Sequence, residues 1–221
     1  KPIPVEMIER FEKVTGHKAH HFLRRGIFFS HQDLDKILTH VEEGGVFYLY
    51  TGRGPSSESL HLGHMIPFVF TKYLQDVFGA ALVVEMSDVE KALFKTNLTF
   101  KEANRLAYEN TKDIIACGFD PKKTFVFTNY EYIAEMWPLV CEMMKKISVH
   151  ENFKIYGMNA QSNVGQLVWP LFQMAPVMSG VFPHIFGKKK VMCLVPCAVD
   201  QAPYFRQVRD FCESMSYPKP A

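Results

Sequence analysis

Two histidines three residues apart are the first candidates for chemistry in this sequence. His61 and His64 end a run, residues 50–64, that begins Tyr-Thr-Gly-Arg-Gly-Pro. A glycine-rich segment between a strand and a helix lets the backbone approach a ligand, and the helix N-terminus offers unpaired N–H groups to an anion. Both imidazoles can point a donor at one phosphate, and Gly63 leaves room for a flat base. The run therefore indicates a phosphate-binding site.

Other interpretations of these histidines stay open on the residues alone. They could cap the helix, and the order of the glycines matches neither a Walker loop nor a dinucleotide-binding loop. A zinc site would need further ligands, which neither this pair nor the adjacent His20 and His21 supplies by spacing, so no metal site is predicted. Five cysteines without a Cys-x-x-Cys spacing are typical of reduced core thiols: Cys117, Cys141, Cys193, Cys197 and Cys212.

The elements that must position this site follow from hydrophobic patterns along the chain. Four continuous β-prone runs are predicted to be buried strands: residues 46–50, 81–84, 124–127 and 191–195. Apolar residues recur at helical spacing in the segments between them: residues 66–77, 99–117 and 136–147. Thr99-x-x-Glu102 predicts one helix start, and Gly118 the end of that helix. Alternating strands and helices predict an α/β fold with a parallel sheet, whose binding residues gather at the carboxyl ends of the strands.

The predicted organisation is one nucleotide-binding domain with two additions. Residues 41–221 are predicted to form the nucleotide-binding domain, and residues 1–40, rich in His and Arg, are expected to pack on it as an appendage. The segment from about 151 to 190 is less regular and predicts a connecting helical insertion. Its helices are expected to break at three prolines: Pro170, Pro176 and Pro183.

Composition narrows the class of protein. Of 221 residues, 48% are hydrophobic and 22% charged, which excludes disordered and fibrous proteins. Lys+Arg at 25 against Asp+Glu at 23 gives +2, so bulk charge does not argue for nucleic-acid binding. No apolar run reaches the roughly 18 residues that span a bilayer, and the charged start does not fit a signal peptide. We therefore expect a cytoplasmic protein without a membrane partner.

Several runs together carry a family resemblance. His61-Leu62-Gly63-His64 resembles the "HIGH" signature of class I aminoacyl-tRNA synthetases. The surrounding sequence is similar to that of eukaryotic-type cytosolic tryptophanyl-tRNA synthetases in four further runs: residues 20–31, 50–55, 113–120 and 196–206. The likeness extends from about residue 10 to the last residues. It implies a Rossmann-like (HUP-type) sheet and activation of tryptophan with ATP, followed by transfer to tRNA(Trp).

The resemblance also implies residue roles. His61 and His64 would be catalytic and bind the ATP phosphates, with Mg²⁺ accompanying the nucleotide. Further nucleotide contacts would come from Gly52, Arg53, Gly63 and Asp200. The tryptophan pocket would contain Tyr50, Glu85, Glu90, Gln173 and Gln201. A homodimer is also implied, through a region rich in Met and Phe: Met143, Met144, Phe172, Met174, Met178 and Phe182. The same residues could equally be core side chains at helical spacing.

The sequence departs from this pattern in ways that bear on activity. Eukaryotic members have Gln where this chain has Glu85, and Asp88 is followed by Val89 instead of a second carboxylate. Residues 157–182 match only loosely, and neither the KMSKS loop nor an anticodon-binding domain occurs before Ala221. Lys188-Lys189-Lys190 is expected to be a solvated loop, not a substitute. We therefore expect the 221-residue chain alone to be inactive. The alternative function is a truncated or degenerate paralogue that binds ligand without aminoacylation.

Overall fold

Four short runs of β-branched, aromatic and aliphatic residues form a parallel sheet at the centre of the fold. A computed structural model describes all 221 residues. The strands are β1 (Phe47–Arg53), β2 (Ala81–Met86), β3 (Thr124–Thr128) and β4 (Met192–Leu194). Their order across the sheet is β3-β2-β1-β4, and every pair is parallel. Leu49 of β1 pairs with Leu82 on one side and with Leu194 on the other. The predicted α/β class with a parallel sheet is confirmed.

Eleven α-helices connect and cover the strands. Three precede the sheet: α1 (Val5–Thr15), α2 (His21–Arg24) and α3 (Leu34–Glu42). Four lie between β1 and the insertion: α4 (Leu62–Phe78), α5 (Asp88–Phe94), α6 (Phe100–Ala116) and α7 (Ile133–Met144). The others are α8 (Val149–Tyr156), α9 (Val164–Met174), α10 (Pro183–Phe186) and α11 (Ala202–Phe211). Short 3-10 turns occupy Ala175–Val177, Ser179–Val181, Val199–Gln201 and Cys212–Met215. None of the helices combines the length and apolarity needed to cross a membrane.

The sheet separates two hydrophobic cores because neighbouring residues of a strand face opposite sides. Tyr48 and Tyr50 of β1 pack in one core with residues of α7, α9 and α11. Phe47 and Leu49 pack in the other core with residues of α1, α3, α4 and α6. Four of the residues expected at a dimer interface are instead fully buried in the first core: Met143, Met174, Met178 and Phe182. The helical spacing of these four residues reflects core packing, whereas Met144 and Phe172 are only partly buried.

Local signals explain where helix α6 begins and ends. The Thr99 side chain accepts a hydrogen bond from the Glu102 N–H at 3.2 Å, as the capping pattern predicts. The Glu102 carboxylate binds Arg105 and does not return to the Thr99 N–H, so only half of the predicted capping box forms. Gly118 follows the helix with φ +81°, a left-handed conformation that glycine adopts without steric cost.

Two expectations about element boundaries are corrected. Strand β1 continues to Arg53, where Gly52 and Arg53 pair with Glu85 and Met86, so part of the predicted loop is strand. Pro170 lies inside α9 and does not end it. Its neighbours Trp169 and Leu171 are 1% and 4% exposed, and their burial offsets the hydrogen bond that a proline cannot donate. Pro176 does lie in a 3-10 turn, and Pro183 does begin a helix.

The amino-terminal helices are attached to the rest of the chain by charged contacts. Arg10 of α1 binds Glu42 of α3 at 2.6 Å, and this pair is exposed. Asp33, just before α3, accepts a hydrogen bond from Arg209 of α11 at 2.6 Å, and both side chains are more than four-fifths buried. Arg209 also donates to the carbonyl of Pro220. The Asp33–Arg209 pair thus joins the first forty residues to the last helix. The division at residue 40 and the insertion bounds stay predictions.

Replacement of Asp33 by Asn should destabilise the fold by about 1.5–3 kcal/mol, the usual contribution of a hydrogen bond to a charged group. Both residue types tolerate the left-handed backbone at this position, where φ is +59°, so the variant isolates the charge. The hydrogen bond from Arg209 lowers the pKa of Asp33 from 3.8 to about 2. Its stabilising contribution is therefore present above about pH 3.8 and lost as pH falls towards 2.

Urea unfolding at pH 7 and at pH 3 measures this contribution. The matched control is Glu42→Gln, which removes the exposed pair with Arg10 and should destabilise the fold clearly less than Asp33→Asn does. Equal effects of the two variants at pH 7 would contradict the assignment.

Candidate active site

Ten of the eleven predicted site residues line one cleft at the carboxyl ends of the strands. The cleft has a volume of about 340 Å³ and is bounded by β1, β2, the start of α4 and the turn before α11. The ten are Tyr50, Gly52, Arg53, Gly63, His64, Glu85, Glu90, Gln173, Asp200 and Gln201. The eleventh, His61, is not in the lining, but its ring stacks on that of His64 at a centroid distance of 3.4 Å. Sequence positions 50 to 201 thus converge on one place.

The amino terminus of α4 forms one end of the cleft. His61 is the N-cap residue, and its side chain caps no backbone N–H. The Nδ1 atom of His64 is buried and has no hydrogen-bond partner. A Cβ atom on Gly63 would lie 3.1 Å from the His61 ring, closer than such atoms usually pack, so this position favours glycine. The two imidazoles therefore do not serve as caps. The N–H groups of His64 and Met65 donate to the His61 carbonyl, which leaves those of Leu62 and Gly63 available to an anion.

Arg53 points a second unpartnered donor into this end of the cleft. Its Nε donates to the Asn110 side chain at 3.0 Å, whereas its Nη2 is buried without a partner. Burial lowers the pKa of Arg53, and the Glu90 carboxylate opposes that shift. Arginine stays charged at neutral pH in either case. A buried cationic donor without an acceptor is suited to an anionic ligand.

His64 is held as a neutral imidazole. Burial lowers its pKa below the ordinary 6.5, and the positive charges of Arg53 and Lys91 act in the same direction. A neutral imidazole carries one N–H. His64 can therefore donate one hydrogen bond to a phosphate with no change in its own protonation.

The opposite end of the cleft has a buried carboxyl group. Glu85 is 0% exposed, and its Oε1 accepts a hydrogen bond from the Asn129 amide at 2.6 Å. The Tyr50 hydroxyl donates to its Oε2 and lies 3.0 Å from the Gln173 carbonyl oxygen, a second acceptor. Burial raises the pKa of Glu85 to about 7. The negative charges of Glu90 and Asp88 also raise it, whereas the hydrogen bonds from Asn129 and Tyr50 lower it. The group changes charge near neutral pH, within a pocket of aromatic and amide side chains.

Glycines let the side walls approach each other. A Cβ atom on Gly54 would lie 2.5 Å from Glu90 Oε2 and 2.8 Å from Lys91 Cε, so a larger residue there would displace the ends of these two side chains. Glu90 and Lys91 form an ion pair at 2.9 Å beside this glycine. Gly52 is less crowded, since its Cβ would lie 3.2 Å from the carbonyl oxygen of Glu85. This close packing explains why a Gly-Arg-Gly sequence leaves the strand.

Two amide side chains, those of Gln173 and Gln201, form another part of the cleft lining. The Gln173 amide of α9 donates to the Gln201 side chain, and Gln201 donates to Asp200 at 3.3 Å. Asp200 is exposed at the mouth of the cleft. The chain of contacts links the insertion to the segment before α11 and orients polar groups toward the ligand space.

Sequence reasoning missed four residues that shape the cleft. Asn129 follows the end of β3 directly, so the rule for carboxyl ends of strands could have found it. Asn110 stood as a polar residue in the apolar stripe of α6, which was a signal of a buried hydrogen-bond role. Lys91 and Tyr204 line the cleft and gave no signal of their own.

The basic run Lys188-Lys189-Lys190 lies away from the cleft. All three side chains are exposed, and they precede β4, at the amino end of the sheet. Lys190 lies over the ring of Tyr217, 3.5 Å from its centroid. No group of three or more His, Cys, Asp or Glu side chains could hold a metal ion.

A family model described as "tRNA synthetases class I (W and Y)" matches residues 42–215. A protein named tryptophan–tRNA ligase, cytoplasmic, from Dictyostelium discoideum is 50% identical over 224 aligned positions, which include 99% of this chain and 56% of that protein. The human protein of the same name is 48% identical, with 99% and 47% covered.

Solved structures agree with the sequence relatives. The crystal structure of Plasmodium falciparum tryptophanyl-tRNA synthetase superposes on this chain with a TM-score of 0.96 at 48% identity. The aligned region includes all of this chain and 61% of the Plasmodium chain. The chain thus spans about half the length of the curated relatives that it matches. With the family model matching most of its residues and with near-half identity along its whole length, this chain belongs to the class I tRNA synthetases of the tryptophan and tyrosine family.

Proposed function

We propose that this chain is the catalytic part of a tryptophan–tRNA ligase, which activates tryptophan with ATP and transfers it to tRNA(Trp). The observation that carries the proposal is the single cleft with two contrasting ends. One end has buried, unpartnered nitrogen atoms of Arg53 and His64 at a helix N-terminus. The other has a closed polar pocket around Tyr50 and Glu85. Relatives named cytoplasmic tryptophan–tRNA ligases support this reading and a cytoplasmic location.

In the proposed reaction, a carboxylate oxygen of tryptophan attacks the α-phosphorus of ATP. The bond between that phosphorus and the bridging oxygen breaks, and pyrophosphate leaves with the electron pair. ATP enters with Mg²⁺ as part of the substrate. Arg53, His61 and His64 donate to phosphate oxygens, whose negative charge the helix N-terminus also stabilises. Gly63 lies against the adenine, while Gly52 and Asp200 contact the nucleotide.

The amino acid is held at the other end of the cleft. The indole N–H donates to Glu85 or Tyr50, and Gln173 lies at the base of the pocket. Glu90 and Gln201 bind the ammonium group. In the second step, a terminal ribose hydroxyl of tRNA attacks the carbonyl carbon of the adenylate, the acyl–phosphate bond breaks and AMP leaves.

The functional test is tryptophan-dependent pyrophosphate exchange and tRNA charging by the intact protein. His64→Ala should lower the exchange rate constant by about 100-fold to 1,000-fold, because a fixed donor to a developing charge contributes roughly 2.7–4 kcal/mol. The control is His150→Ala on the exposed face of α8. Exchange by His64→Ala within threefold of the unsubstituted protein would refute this role. Ligand binding without exchange or charging would instead indicate a degenerate paralogue.

The ionisation of Glu85 gives the pocket a pH dependence. A charged acceptor forms a stronger hydrogen bond than a neutral one, so affinity for tryptophan should rise about threefold to tenfold as pH rises through about 7. Glu85→Gln should show a flat profile between pH 6 and 8 in calorimetric titration. A flat profile in the unsubstituted protein would contradict the assignment.

Stability should change in the opposite sense. The pKa of Glu85 is raised in the folded state from 4.5 to about 7, so the contribution of this carboxyl group to stability is full below pH 4.5 and is lost as pH rises through 7. Glu85→Gln removes this loss, which amounts to about 3 kcal/mol. Urea unfolding at pH 5 and 8 measures it, with the exposed Glu58→Gln as the control.

We also propose that the protein is a homodimer. Exposed apolar side chains lie on three neighbouring helices of the insertion side: Phe94 of α5, Ile133 and Trp137 of α7, and Val164 of α9. Trp137, 47% exposed, stacks against Phe172 and is the largest of them. Trp137→Glu should convert the dimer to a monomer in sedimentation at micromolar concentration, because an interface core excludes an unpaired charge. A monomer before substitution would refute the proposal.

A further inference from the structure

The loop that connects β1 to α4 is held by hydrogen bonds from one helix, α6. We define the phosphate loop as residues 54–61, of which Ser56, Ser57, Glu58 and Ser59 are exposed. Apart from bonds into α4, every hydrogen bond that joins this loop to another element ends on α6. The three bonds are Asn110 to the Ser57 carbonyl at 2.7 Å, the Leu60 N–H to Asp113 at 2.9 Å, and Arg105 to Glu58 at 3.0 Å.

Asn110 fixes both the loop and Arg53. Its side chain is 0% exposed, and each of its polar hydrogens and its oxygen has a partner. Oδ1 accepts from Arg53 Nε at 3.0 Å, and Nδ2 donates to the carbonyls of Ser57 and Leu106 at 2.7 and 3.1 Å. Only an amide supplies one acceptor and two donors in this arrangement. Because Asn110 holds the Nε atom of Arg53, the orientation of the guanidinium is fixed, and with it the position of the unpartnered Nη2 atom.

Asp113 acts at the other end of the loop. It accepts the hydrogen bond of the Leu60 N–H, the residue immediately before the N-cap His61. The direction in which the chain enters α4 determines where the first-turn N–H groups and the two imidazoles lie. Asp113 therefore controls the orientation of the helix terminus, although it is not part of the cleft lining.

From these contacts we infer that Asn110 and Asp113 are positioning residues for the anion-binding end of the cleft, and that α6 holds the phosphate loop in its ligand-binding form. The inference rests on the proposed function only in taking the ligand to be the triphosphate of ATP. Arg105 contributes less, because its pair with Glu58 is exposed on both sides.

If these residues only stabilised the fold, their substitution would weaken the binding of both ATP and tryptophan. The exposed loop residues 56–59 belong to neither hydrophobic core, and Leu60 is the one loop residue packed against a core, so freeing the loop leaves most contacts of both cores in place. The loss should then appear in nucleotide binding and not in tryptophan binding, since the Tyr50–Glu85 pocket makes no contact with α6 through these residues. This separation is the readout that distinguishes positioning from stability.

The experiment compares ATP and tryptophan affinities by calorimetry for substitutions on one face of α6. Asp113→Ala should weaken ATP binding at least about tenfold, with tryptophan affinity changed less than twofold. Asp113→Asn keeps an acceptor for the Leu60 N–H and should restore ATP affinity to within threefold. Lys112→Ala, at the exposed neighbouring position, is the matched control and should bind both ligands normally.

A double-mutant cycle tests the link through Arg53. Asn110→Leu alone should weaken ATP binding at least about tenfold, and by clearly less when Arg53 is already Ala, because the two changes remove one shared contact. If Asn110→Leu fails to fold, the Asp113 pair decides by itself. Normal ATP affinity in Asp113→Ala, or a parallel loss for tryptophan, would overturn the inference alone. Absence of ATP binding by the unsubstituted protein would overturn the proposed function with it.

Discussion

The parallel pairing of β1 with β2 as far as Arg53 is the constraint on which the candidate site depends. It places Gly52 beside Glu85 and Arg53 beside Met86, so the last residues of two strands meet at one edge of the sheet. From that edge the chain must reach the start of α4, and the residues between acquire their conformation from what surrounds them. The cleft exists because neighbouring strands end together.

The two ends of the cleft solve different electrostatic problems. At the α4 end, buried nitrogen atoms of Arg53 and His64 have no hydrogen-bond partner, an arrangement that costs stability until a ligand supplies one. At the other end, burial of Glu85 costs free energy whenever the carboxyl ionises. Both features oppose folding, which is typical of sites where binding takes precedence over stability. The two cores, one on each face of the sheet, provide the stability that compensates.

Helix α6 is an example of a connecting element with a second task. Its apolar face, with Ala107 and Ile114, packs in the core beneath β2. On the same helix, Asn104 donates to the buried Asp88 at the start of α5 at 2.9 Å, and Asn110 and Asp113 hold the phosphate loop. A single rigid helix therefore contacts both walls of the cleft, so their relative positions depend on one element.

The sequence by itself determined the α/β class, the four strands and most helix positions, because continuous apolar runs and helical spacing depend on local composition. It also indicated His61 and His64, since a glycine-rich strand exit before a helix has a local signature. The positions of Asn129 and Asn110, the burial of Glu85 and the core role of Met143 were decided only by tertiary structure. The hydrogen bonds that join Glu85 to Tyr50, Asn129 to Glu85 and Asn110 to Arg53 connect residues 35 to 57 positions apart. A linear pattern does not specify which distant side chain completes such a bond or a core contact.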